Sequence, residues 1–129
     1  MTDQLERNKQ VVLSMVDLGL NEGNPAEAAK RHLGPVYRQH NPHVPDGAEA
    51  YVRLITALRE QAPETRTEIK RVIAEGDLVV VHHHVRPSPE DRGRAVVDIF
   101  RLEDGKVVEH WDVVQPVPEG QPANDNTMF

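Results

Sequence analysis

Asp104 and Gly105 stand between two runs of alternating apolar residues, RAVVDIFRL and KVVEHWDVVQ, and no other feature of the chain constrains its fold as much. An Asp-Gly pair in that setting favours a two-residue turn, whose central positions want positive φ. With a tight turn Glu103 pairs with Lys106, and the register of both strands follows. Leu102 then faces Val107, Phe100 faces Glu109, Asp98 faces Trp111 and Val96 faces Val113. Side chains alternate along a strand, so these pairs share one side of the sheet, and Val97, Ile99, Arg101, Val108, His110 and Asp112 share the other. With two Phe, two Tyr and one Trp in the whole chain, the side holding Phe100 and Trp111 is the one to bury. That places Asp98 inside, where desolvation is expected to raise its pKa towards the range useful for proton transfer. A bulge in the last strand would instead turn His110 and Asp112 inward. The opposite side carries Val97, Ile99, Val108 and Val114, and a sheet apolar on both faces predicts a homodimer through the outer one.

Upstream, TRTEIKRVIA and DLVVVHHHV read as two further strands around a Glu75-Gly76 turn, followed by the loop RPSPEDRG. Before Pro63 the apolar period is that of a helix. Leu5, Val12, Met15, Val16 and Leu20 recur at that spacing between Asp3 and Leu20. Asn24 caps a short second helix, with Pro25 in its first position and Glu27 three residues after the cap, and Gly34 stops it. VYRQHNPHVP, with two prolines, predicts no long regular element. Asp46 and Glu49 make a capping box for a third helix with the stripe Tyr51, Val52, Ile55 and Leu58. Three helices followed by four sequential strands give an α+β domain, the helices covering one face of an antiparallel sheet. Its expected bounds are residues 1–118, with a proline-rich flexible tail over 119–129.

The chemistry left open by composition is narrow. No cysteine is present, which excludes disulfides, thiolate catalysis and cysteine zinc sites, and a net charge of −6 argues against a nucleic-acid surface. No apolar run approaches ~18 residues and the start MTDQLERNKQ is polar, so neither a membrane span nor a signal peptide is expected, and a cytoplasmic setting is. Ser14 and Ser88 sit in no nucleophile motif. Proton transfer by histidine and carboxylate remains. In a strand His82 and His84 share one side and His83 takes the other. The first two are expected inward as acid/base or hydrogen-bonding groups, although apolar residues occupy both parities of LVVVHHHV and leave the facing open. A metal there would need a third ligand from elsewhere, and none is expected. Tyr37, His40 and Asn41 form a polar cluster either at the pocket mouth, with His40 as proton donor or substrate orienter, or in a plain Asn-Pro turn. Gln115 lies on the Trp111 side, while His110 and Asp112 are a structural or interface pair under the unbulged register.

The segments YRQHNPHVPDG, EGDLVVVHHHV and AVVDIFRLEDGKVVEHWDVVQPVP, between Tyr37 and Pro118, together resemble the SnoaL-like polyketide cyclase group of the nuclear transport factor 2-like superfamily. The most specific part is the aspartate-bearing strand, the Arg-Leu-x-Asp-Gly-Lys hairpin and the Glu-His-Trp-Asp that follows. The resemblance implies a cone-shaped α+β barrel, three N-terminal helices packed on a curved antiparallel sheet of about four main strands, with an open-ended pocket and dimerisation. It further implies an aldol-type cyclase, isomerase or dehydratase that acts on a small carbonyl compound through an acid/base aspartate, without metal or organic cofactor. Related epoxide hydrolases place an i,i+2 polar pair on a mid-sheet strand, as His82 and His84 would be. Many members carry a carboxylate near the end of the final strand, where this chain has Gln115, and Asp98 is expected to substitute for it. The expected site is therefore Asp98, His84 and His40 for catalysis, with Tyr37, Asn41, His82, Phe100, Trp111 and Gln115 around the substrate. The alternative is a dimer of the same fold that binds a small hydrophobic ligand without turnover.

Overall fold

In the computed structural model, which describes residues 2–129, the Asp104-Gly105 turn forms with φ of 49° and 76°. It joins β4 (Arg94–Glu103) to β5 (Lys106–Pro116). β2 (Arg66–Glu75) and β3 (Leu78–Arg86) extend the antiparallel order on the far side of β4. The helical half runs α1 (Thr2–Val16), α2 (Pro25–His32) and α3 (Ala48–Gln61). Between α1 and α2 the chain widens into one π-helical turn over Asp17–Asn21, closed by the Glu22 N–H donating to the Asp17 carbonyl at 2.9 Å. That turn aims Asn21 at the sheet, where its amide trades hydrogen bonds with the backbone of Thr67 at 2.8 and 3.2 Å.

The α+β class holds, but the sheet has a fifth strand, is mixed and is not closed into a barrel: its order is β1-β5-β4-β3-β2. β1 (Leu33–Gln39) runs parallel to β5 through part of the segment that its prolines argue against. Being at the edge, β1 bonds to one neighbour only, which is where a strand tolerates a residue such as Pro35 that lacks an N–H. Gly34 does not stop α2 from outside; it is the second residue of β1, and a Cβ there would stand 2.9 Å from Val108 Cγ1. The α2 cap forms as expected, the Asn24 side-chain oxygen accepting from the Glu27 N–H at 3.2 Å. The α3 capping box does not. Asp46 accepts from the Gln39 N–H at 2.7 Å instead, Gly47 turns the chain at φ 101°, and its N–H donates to the Tyr37 carbonyl at 2.9 Å. Both contacts tie the loop after β1 back onto that strand.

The core lies between the helices and one face of the sheet. Val12 and Met15 of α1 meet Val79, Val81, Phe100 and Val107, all essentially buried. Among the described residues no helix is long and apolar enough to cross a membrane.

Candidate active site

The site is set by one extra residue in β5. Pairing runs Glu103↔Lys106 and Leu102↔Val107, then resumes as Arg101↔Glu109, Phe100↔His110, Ile99↔Trp111 and Asp98↔Asp112. Val108 is left over as a β-bulge, and beyond it every side chain of β5 changes face relative to the unbulged register. Both valines are buried, Val107 in the core and Val108 in the gap left by the missing side chain of Gly34. Two adjacent apolar residues thus both find cover. As a result His110 and Asp112 join Asp98 and Phe100 inside, and Trp111 moves outside.

On β3 the parity is fixed by Val79, Val81 and Val85, all buried, so His83 points inward at 1% exposure while His82 and His84 point outward. This reverses the expected facing of the three histidines. His82 and His84 stack on Phe129 at ring distances of 5.7 and 4.1 Å, and His84 Nε2 lies 2.6 Å from the Arg92 carbonyl.

Asp98 is the centre of the inner set. His83 Nε2 lies 2.6 Å from its Oδ2, and His110 Nε2 lies 2.7 Å from its Oδ1. Each imidazole is held from behind: Thr67 Oγ1 is 2.6 Å from His83 Nδ1, and Gln39 Oε1 is 2.8 Å from His110 Nδ1. The orientation of the Gln39 amide is fixed because the same oxygen accepts the Asn41 N–H at 3.0 Å. Burial pushes the Asp98 carboxyl up, but the hydrogen bonds and charges of the two histidines outweigh it and hold the pKa at about 2. The expected elevation is therefore overturned, and Asp98 is an anion that only accepts. Since Gln39 Oε1 is also an acceptor, His110 donates from both ring nitrogens, to Gln39 at Nδ1 and to the Asp98 carboxylate at Nε2.

The ring of His110 lies between Phe100 at 4.8 Å and Tyr37 at 6.4 Å. Burial raises the Tyr37 and Tyr51 hydroxyls far above their ordinary pKa, with the Asp98 charge adding to it, so both stay protonated donors. Asn41 donates its amide to both oxygens of Asp112, at 3.0 and 3.1 Å. These groups line a cavity of about 290 Å³ whose remaining wall is mostly apolar, including Leu54, Ile55, Leu58, Val85 and Val96, with His43 and Arg94 besides. Asp98, His110 and Asp112 present donor atoms within 4.8 Å of one another, a spacing a cation could bridge. Asp98 and His110 are, however, already committed to each other and Asp112 to Asn41.

Of the expected site residues, the fold brings together Asp98, Tyr37, Asn41 and Phe100 at the cavity. It does not bring in the others. His40 stacks on Trp111 at 4.7 Å outside the cavity and binds Glu109 Oε2 at 2.7 Å. His82 and His84 are on the far face of the sheet, and Gln115 is exposed opposite Ala95. His83, Gln39 and Thr67 were not singled out from the sequence. Apolar residues at both parities of β3 leave His83 without a local signal, and nothing local marks Gln39 or Thr67.

The family model described as the SnoaL-like domain matches residues 12–110. No curated protein matches the chain in sequence. Among solved structures, TsrD from Streptomyces laurentii is similar at 24% identity and a TM-score of 0.71, over 84% of this chain and 88% of that one. A protein of Bacillus cereus provisionally called a polyketide cyclase aligns at 19% identity and a TM-score of 0.73, over 84% and 74%. AclR from Streptomyces galilaeus, provisionally called a hydroxylase, aligns at 24% identity and a TM-score of 0.72, over 86% and 90%. At these identities the likeness is one of fold.

Proposed function

We propose that this chain, which belongs to the SnoaL-like domain family, is an acid/base enzyme that removes a proton next to the carbonyl of a small compound, in an aldol-type cyclisation, isomerisation or dehydration, without a cofactor. The observation that carries the reading is the ionised Asp98, clamped between His83 and His110 on the wall of a mostly apolar cavity. A carboxylate oxygen has more than one lone pair, so Asp98 can accept a substrate proton while its histidine contacts persist. Doing so neutralises Asp98 and leaves the doubly protonated His110 facing a newly formed enolate. The positive charge of the pair is thereby transferred from balancing Asp98 to balancing the substrate oxygen. Tyr37, kept protonated by burial and lining the same cavity, is a hydroxyl donor for that oxygen.

The test follows exchange of the protons alpha to a ketone in heavy water by NMR, with a panel of aliphatic and aromatic methyl ketones. Wild type is expected to catalyse exchange, and Asp98→Asn to lose about 10²–10⁴ of the rate while keeping the wild-type circular dichroism spectrum. Full exchange by the variant removes Asp98 from the role.

A second reading is favoured by one feature: among the described residues no buried side-chain polar atom lacks a partner, as in a purely structural network. In that case the cavity binds a hydrophobic ligand without chemistry, and ketones shift NMR signals without exchanging. Both readings include a homodimer through the outer sheet face, where Val113 is 71% exposed beside Val97 and Ile99. Light scattering is expected to give twice the monomer mass, and Val113→Lys to give the monomer.

A further inference from the structure

Along β4 the cavity side presents Phe100, Asp98, Val96 and Arg94 in turn, so the acid/base end and the rim are marked by residues of one strand. Asp98 and Arg94 are four positions apart on the same face, which separates their Cα atoms by about 13 Å. Among the described residues Arg94 is the one lysine or arginine on the cavity wall, and no ion pair includes it. Of the acidic residues that share an outer hollow with Arg94, Glu119 pairs with Arg92 at 3.7 Å and Asp91 accepts the Gly93 N–H at 2.7 Å, and no ion pair joins Glu90 to Arg94. Arg94 is exposed and also borders a smaller hollow beside Leu58, Thr65 and Val85, a setting in which an arginine stem can cover apolar wall while its charge stays in water. The aliphatic part of the lining is Val85, Val96, Leu54, Ile55 and Leu58, which suits an apolar middle to the ligand.

We infer that the substrate is an amphiphilic keto acid: its carbonyl lies at Asp98, an apolar chain or ring spans the middle, and a carboxylate ends at Arg94. This rests on the acid/base reading above and adds the second end of the molecule. The guanidinium fork suits a planar carboxylate, and a neutral rim would have served a wholly apolar ligand as well. The same charge also offsets the repulsion an anion meets from Asp98 and Asp112 deeper in.

The test uses an oxodecanoate with its methyl ketone at the far end from the carboxylate, together with its methyl ester, and follows exchange alpha to the ketone in heavy water. Wild type is expected to favour the acid over the ester about tenfold in kcat/KM, expressed in KM. Arg94→Gln is expected to erase that preference and Arg94→Lys to keep much of it, while the preference collapses in high salt. Equal exchange of acid and ester by wild type, or a preference that survives Arg94→Gln, overturns the inference and leaves the acid/base reading standing. Exchange of neither compound, with no exchange of any ketone in the wider panel, overturns both; exchange of other ketones but of neither of these overturns the inference alone.

Discussion

The two faces of one sheet treat the same amino acid in opposite ways. Inward, His83 and His110 are buried, each with both ring nitrogens bonded, one partner being Asp98. Outward, His82 and His84 are part-exposed and rest on Phe129, and His40 is stacked on Trp111 with Glu109 at its edge. Consecutive residues of one strand thus divide between a saturated network and a wet surface. The lesson is that histidine content says nothing about chemistry until parity is known: water can satisfy the outer rings, whereas the inner ones require protein partners and so become tuned by them.

The sharpest way to break the comparison is to delete the inner anion. Asp98→Ala leaves two buried imidazoles without their acceptor, and a loss of about 3–5 kcal/mol in urea unfolding is expected. His84→Ala on the outer face is expected to cost within about 1 kcal/mol. Similar losses for both would mean that the faces do not differ.

Acid sharpens the same contrast. Asp98 titrates at about 2 in the folded chain, below its ordinary 3.8, so its contribution is fully present above the unfolded value and disappears as pH falls through the folded one. Between pH ~5 and ~2 wild type should therefore lose about 2–3 kcal/mol more than Asp98→Asn. Parallel stability curves for the two proteins would contradict the clamped carboxylate.

The sequence made the hairpin, the three helices and the α+β order legible because each has a local cause: an Asp-Gly turn, an Asn-Pro cap, a change of apolar period. It also put Asp98 and Phe100 on the inner side, since both precede the irregularity. What it hid depends on distant partners. β1 exists because β5 offers it an edge, against the local vote of Pro35. The facing of His110, Trp111 and Asp112 depends on whether Val108 has somewhere to go, and that is decided by Gly34, some seventy positions earlier in the chain. The histidine run was ambiguous because Leu78 and Val80 are as apolar as Val79 and Val81; only the helices above the sheet distinguish them.

The leftover valine of β5 has a consequence for how such a chain can diversify. Downstream of it, chemistry is assigned by counting: removing one residue between the turn and His110 would present an indole to the cavity and export an imidazole and a carboxylate, with every other letter unchanged. A change of length in β5 can therefore exchange a reactive set in one step, where point substitutions would need three coordinated replacements. Among related folds, then, the spacing between the turn and the acid-bearing rungs carries as much information as the residues themselves.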